Sequence, residues 1–342
     1  MGTGSIEDTR QPDHVQAQIN GLHLDGGSSE IIFLGTGSSS GLPSVRCALS
    51  PGGGCPCCKE AMSNPDSKNR RGNPSLLIRY RGGKRDNPGD VDGGSGEAKN
   101  ILIDAGKTFK ESVLRWFPKF GIRTVDAIVL THEHADAILG LDDFRELQTW
   151  DLEWRGKALP PPTPVFLSDA TYKTLCSIFP YLTKKVDTSK GEFQRMVSQL
   201  DFNCVPPLKT FNAMGLEIRT LPVEHGPDCI CYGFDFGVRD RVVYLSDFTS
   251  ISEEVYEVIE EREVSILVLD SLRPDKDSLT HIGLPTAVEI AKRVKPKKTF
   301  LVGLSDNFGD HDEFNRGLRD KYGPQGIDIQ LAHDGLRIPL EL

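Results

Sequence analysis

Repeatedly along this chain a short apolar run stops abruptly at histidine or aspartate: "VDAIVLTHEH", "LEIRTLPVEHG", "RVVYLSD", "SILVLDS" and "TFLVGLSD". Most of these runs are short and bounded by polar residues, so they read as buried strands. Polar residues recurring at strand ends mark the edge of a sheet, where functional groups gather. "EIIFLGTG", "SLLIRY", "NILIDAG", "PVFLS" and "CYGFDFG" read as further strands. "TFKESVLRWFPKF", "SEEVYEVIEER" and "LPTAVEIAKRV" show helical spacing. Many strands interleaved with fewer helices imply sheets packed together with helices outside, in one domain.

Residues 1–29 are polar with Gly and Ser and read as a mobile N-terminal tail that holds His14 and His23. Residues 30–342 form the single domain. Within it residues 81–99, charged and Gly-rich, read as a disordered loop inserted into a hairpin. No internal repeat is present.

His132 and His134 flank one residue directly after "DAIVLT", so both imidazoles can project to one side, and Asp136 adds an oxygen. Alone, His225 reads equally as a loop residue and Asp247 as a helix cap before "TSISEEV". Taken with the histidine pair, both read as metal ligands. Separately, "RCALSPGGGCPCC" offers Cys47, Cys55 and Cys58 as thiolates at structural-zinc spacing, with Cys57 pointing away. Arg70 and Arg71 in "SKNRRGN" either hold a substrate phosphate or form a solvated basic loop. "GTGSSSG" lacks both the G-x-G-x-x-G spacing and a following helix, which excludes a dinucleotide site.

"LGTGSSSGLP", the cysteine cluster, "LIDAG", "THEHAD", "GLDDFREL", "YLSD" and the final "HDGLRI" together resemble the metallo-β-lactamase superfamily. Within it the chain is similar to the phosphoribosyl cyclic phosphate phosphodiesterases and, more distantly, to tRNase Z. The resemblance implies an α+β fold, a four-layer αββα sandwich with metal at one edge. It implies that His132, His134 and His225 hold a first ion, with Asp247 as the bridging aspartate and Asp136 that of a second site. It departs at Ala137 and Gly303, where that family has second-site histidines. The expectation is therefore one catalytic ion, zinc or manganese, and that imidazoles restored at both positions rebuild the second site. The cysteine zinc's fourth ligand falls at Asp306, with His311 as the alternative. His281, in "SLTHIGL", resembles the family histidine that acts on the phosphoryl group, donating a proton to the leaving oxygen.

The activity so implied is metal-dependent hydrolysis of a small or cyclic phosphodiester by metal-activated water that Asp136 orients. The alternatives are a tRNase Z-like RNA 3′-end nuclease and a non-catalytic metal-stabilised scaffold. A net charge of −9 argues against a long polyanion as partner. No apolar run is long enough to cross a bilayer, and the start resembles no targeting signal, so the expected location is cytoplasmic.

Overall fold

The computed structural model describes residues 28–82, 98–148, 160–184 and 196–342. Most of the expected tail (1–27) and inserted loop (83–97) lies outside the described residues.

Two mixed seven-stranded sheets face each other. The first has the order β14-β1-β2-β3-β4-β5-β6. Its strands are β1 Ser29–Gly35, β2 Ser75–Tyr80, β3 Lys99–Ile103, β4 Ala127–Val129, β5 Thr163–Leu167, β6 Leu200–Cys204 and β14 Arg337–Leu340. The second runs β13-β12-β11-β10-β9-β8-β7. It contains β7 Thr210–Ala213, β8 Leu216–Glu224, β9 Ile230–Phe236, β10 Val242–Leu245, β11 Ile266–Asp270, β12 Lys298–Val302 and β13 Ile329–Leu331. Ser29 and Lys99, placed by sequence in the tail and the loop, instead open β1 and β3.

The strands read as continuous apolar runs because both faces are buried. In β1, Ile31 and Phe33 join Phe234, Tyr244 and Phe300 between the sheets. The alternate residues Ile32 and Leu34 pack outward with Phe109 and Phe117 of the helix layer. Across the second sheet, Leu267 and Leu269 meet Val255, Val288 and Leu318 of the opposite helix layer. The period-two side-chain alternation thus produces four layers, helix-sheet-sheet-helix, in a single domain.

The helices used below are α1 Pro56–Ser63, α2 Phe109–Phe120, α3 Ala135–Ile138, α4 Asp169–Ile178, α5 Glu253–Glu260, α6 Leu284–Val294 and α7 His311–Tyr322. Ser252 caps α5 by accepting from Val255 N–H, which leaves Asp247 free of the capping role. Among the described residues no helix is long and apolar enough to cross a membrane.

Candidate metal centres and the histidine beside them

β4 gives out at Val129, and the chain turns across the end of the sheet. Thr131 is pinned there by Asp104, whose two carboxylate oxygens accept from the Thr131 N–H (2.9 Å) and hydroxyl (2.8 Å). Having donated its proton to Asp104, that hydroxyl accepts from His132 Nδ1 at 2.8 Å. His132 Nε2 therefore carries a lone pair, and it is buried without a partner. His225, just past β8, donates from Nδ1 to the Thr280 carbonyl at 2.7 Å, so its Nε2 lone pair is also free. That nitrogen faces His134 Nδ1 at 3.2 Å.

One ring nitrogen from each of His132, His134 and His225 lies within 4.8 Å of the others. Burial pushes His132 down to about 3 and lowers His225 as well, so both are neutral ligands near neutral pH. Lone pairs converging on a space this small repel unless a cation sits between them, so the residues fit a divalent ion. The contacts to Thr131 and Thr280 are the outer hydrogen bonds that fix ligand tautomers.

A second group shares His225 and adds Asp247 and His281. His281 Nδ1 lies 2.8 Å from Asp270 Oδ2 and 3.7 Å from Asp247 Oδ1. Burial opposes charge on His281, but the Asp270 bond and the Asp247 carboxylate outweigh it and hold the imidazolium up to about 9. Ser278 fixes the loop by accepting from the His281 N–H, and Ile282 N–H ties it to the Phe248 carbonyl beside Asp247. Asp136, in the first turn of α3, stands outside both groups. Burial and then the nearby Asp247 raise its pKa. Its helix approaches the turn after β3 backbone to backbone, because a side chain at Gly106 would overlap the Asp136 carbonyl.

The expectation of a restorable second site needs correction. Gly303 has φ +72°, and a Cβ there would collide with Asp270 Oδ1. The space is filled by the carboxylate that holds His281. Ala137 is buried in the apolar layer with Ile138 and Leu141. Neither position is a vacancy awaiting an imidazole.

The cysteine cluster also closes. Cys47, Cys55, Cys58 and Asp306 each bring one ligand atom within 4.8 Å of the rest. The N–H of Cys55 donates to Cys47 Sγ (3.1 Å) and that of Cys58 to Cys55 Sγ (3.4 Å), contacts that favour thiolates. Asp306, not His311, completes the group. His311 is engaged elsewhere, its Nε2 accepting from Asn315 Nδ2 at 3.1 Å. Cys57 is buried outside the group.

The two arginines are not brought to the histidines. Arg71 is 1% exposed, which withdraws it from any substrate and corrects the phosphate reading for that residue. Arg70 lines a cavity of about 650 Å³ with Arg115 and Trp116, and no member of either histidine group takes part. Sequence reasoning missed Asp104 and Asp270 as supporting carboxylates. Their signal was present, since each ends an apolar strand, as Asp247 does.

Residues 99–303 match the family described as the beta-lactamase superfamily domain. The solved structure of a diphosphatase from the PhnP family superposes with a TM-score of 0.67 at 32% identity, covering 92% of this chain and 98% of that one. Ribonuclease Z of Clostridioides difficile (strain 630) is 30% identical over 239 residues, 66% of this chain and 72% of that protein. An octanoyltransferase of Porphyromonas gingivalis is 25% identical over 309 residues, 90% of this chain but 52% of the relative, so the chain spans about half that protein's length.

Proposed function

The chain belongs to the beta-lactamase superfamily, and from that premise we propose that it is a metal-dependent phosphodiesterase acting on a small or cyclic phosphate ester. The observation that carries this reading is the convergence of three imidazole nitrogens beside a histidine held by its own buried carboxylate. His132, His134 and His225 would hold the ion, with Asp247 adjoining. Zinc suits three imidazoles, and manganese is the second candidate because oxygen donors are close. Such an ion supplies Lewis acidity to a phosphoryl oxygen and makes water nucleophilic near neutral pH.

The chain's own residues do the rest. Asp136, whose burial raises its basicity, orients water and accepts its proton. His281 keeps Nδ1–H on Asp270 and presents Nε2–H to the leaving oxygen, to which it transfers that proton as the P–O bond breaks. A single ion is supported by the filled positions at Ala137 and Gly303. Cys47, Cys55, Cys58 and Asp306 hold a separate structural zinc.

The ribonuclease Z similarity favours one further reading, RNA 3′-end cleavage. A turnover screen on protein of counted metal content tests both, with cyclic phosphodiesters, linear phosphodiesters and precursor tRNA as substrates. Turnover of the small esters in proportion to loading of the histidine site is expected. Cleavage of precursor tRNA alone would establish the second reading, and a fully loaded protein inert on all three would refute both.

A further inference from the structure

Arg71 and Arg241 are the two largest fully buried side chains among the described residues, and their surroundings are opposite. Arg241 makes two 2.8 Å bonds to Asp235 and donates to the carbonyls of Val258, Ile259 and Arg262. Nε, Nη1 and Nη2 of Arg71 have no hydrogen-bond partner among the described residues. A buried cation left so is strongly destabilising unless an anion compensates it.

The acidic groups nearest its charge are Cys57, Asp334, Asp310 and Cys58. Three of these are otherwise engaged or neutral. Asp334 accepts from the Thr36 hydroxyl and the Gly72 N–H. Asp310 caps α7 and accepts from Asn69. Burial holds the Cys57 thiol up at about 11, hence uncharged. Cys58 remains, and it belongs to the cysteine cluster. The link is also structural. Arg71 N–H and C=O exchange hydrogen bonds with Leu42 (3.1 and 2.7 Å), and Ser44, two residues on, accepts from Cys47 N–H.

We infer that Arg71 is the counter-charge of the cysteine metal centre. This rests on the reading that Cys47, Cys55, Cys58 and Asp306 hold a divalent ion. Three thiolates and a carboxylate around such an ion leave a net double negative charge beside Arg71. The arginine is compensated when the centre is loaded and uncompensated when it is stripped. Removing its charge must therefore affect the two forms differently.

Arg71→Met tests this by zinc release to a chromophoric chelator and by thermal unfolding of loaded and stripped protein. Zinc should leave the cysteine centre at least about tenfold faster, the scale of losing an outer-sphere partner. The stabilisation gained on loading should shrink, while the stripped variant should be no less stable than the stripped wild type. Unchanged zinc release, with equal destabilisation of both forms, would overturn the inference. Should Arg71→Met fail to fold, Arg71→Lys keeps the charge and must retain zinc like the wild type; rapid loss from it would be equally fatal. Should Cys55→Ser with Cys58→Ser leave the zinc count of the chain unchanged, the metal reading itself fails, a result separable from any behaviour of Arg71.

Discussion

Replacing Gly303 with alanine should destabilise this protein far more than one methyl group ordinarily does. The residue sits at φ +72°, where an L side chain costs about 1–2 kcal/mol. The added Cβ would also strike Asp270 Oδ1, and Asp270 is fully buried with nowhere to retreat. Moving that carboxylate breaks its 2.8 Å bond to His281, a charge-assisted contact worth about 1.5–3 kcal/mol. The sum is about 3–5 kcal/mol. Gly121 supplies the control, since it has φ +64° and nothing within 4 Å of a Cβ, so Gly121→Ala should show the backbone cost alone. Urea unfolding of the two variants, both stripped of metal, reads the difference directly. Gly303→Ala should also lower kcat, because His281 loses the group that holds its proton. Equal costs at the two glycines would mean that Asp270 adjusts freely and that its carboxylate does not fill the position.

Three further outcomes follow from the same geometry. The purified chain should carry about two zinc equivalents, and Cys55→Ser with Cys58→Ser should remove one together with thermal stability, read by metal analysis and calorimetry. His281→Ala should leave metal content unchanged and cut kcat roughly a hundredfold, with a smaller loss on an ester whose leaving group needs no proton; full activity on an alkyl diester would exclude the donor role. Burial holds His311 down to about 2, against about 6.5 unfolded, so the unfolded chain binds the extra proton; the stability is complete above pH 6.5 and is lost as pH falls toward the folded value. Between pH 7 and pH 5 that loss is about 2 kcal/mol, and urea titrations of metal-stripped His311→Gln should show the pH slope reduced by that amount.

The strands and the ligand types were legible in the sequence because both are local properties. "SLLIRY" is β2 as read, and "LPTAVEIAKRV" is α6. An apolar run that ends in histidine or aspartate announces both a buried strand and its polar rim, and His132, His134, His225 and Asp247 were found in this way. The choices between partners were not local. Asp306 meets Cys58 across 248 residues of chain, while His311, only five positions further on, turns to Asn315 instead. Asp270 looks like any strand-end aspartate until the parallel pairing of β11 and β12 sets it beside Gly303 and the next loop brings His281 to it. Arg71 sits in a run of basic residues that reads as solvated surface, yet the fold buries it beneath the cysteine loop. In each case, which of several chemically suitable groups is brought within bonding distance depends on how the sheets and loops pack, and spacing along the chain carries no record of that distance.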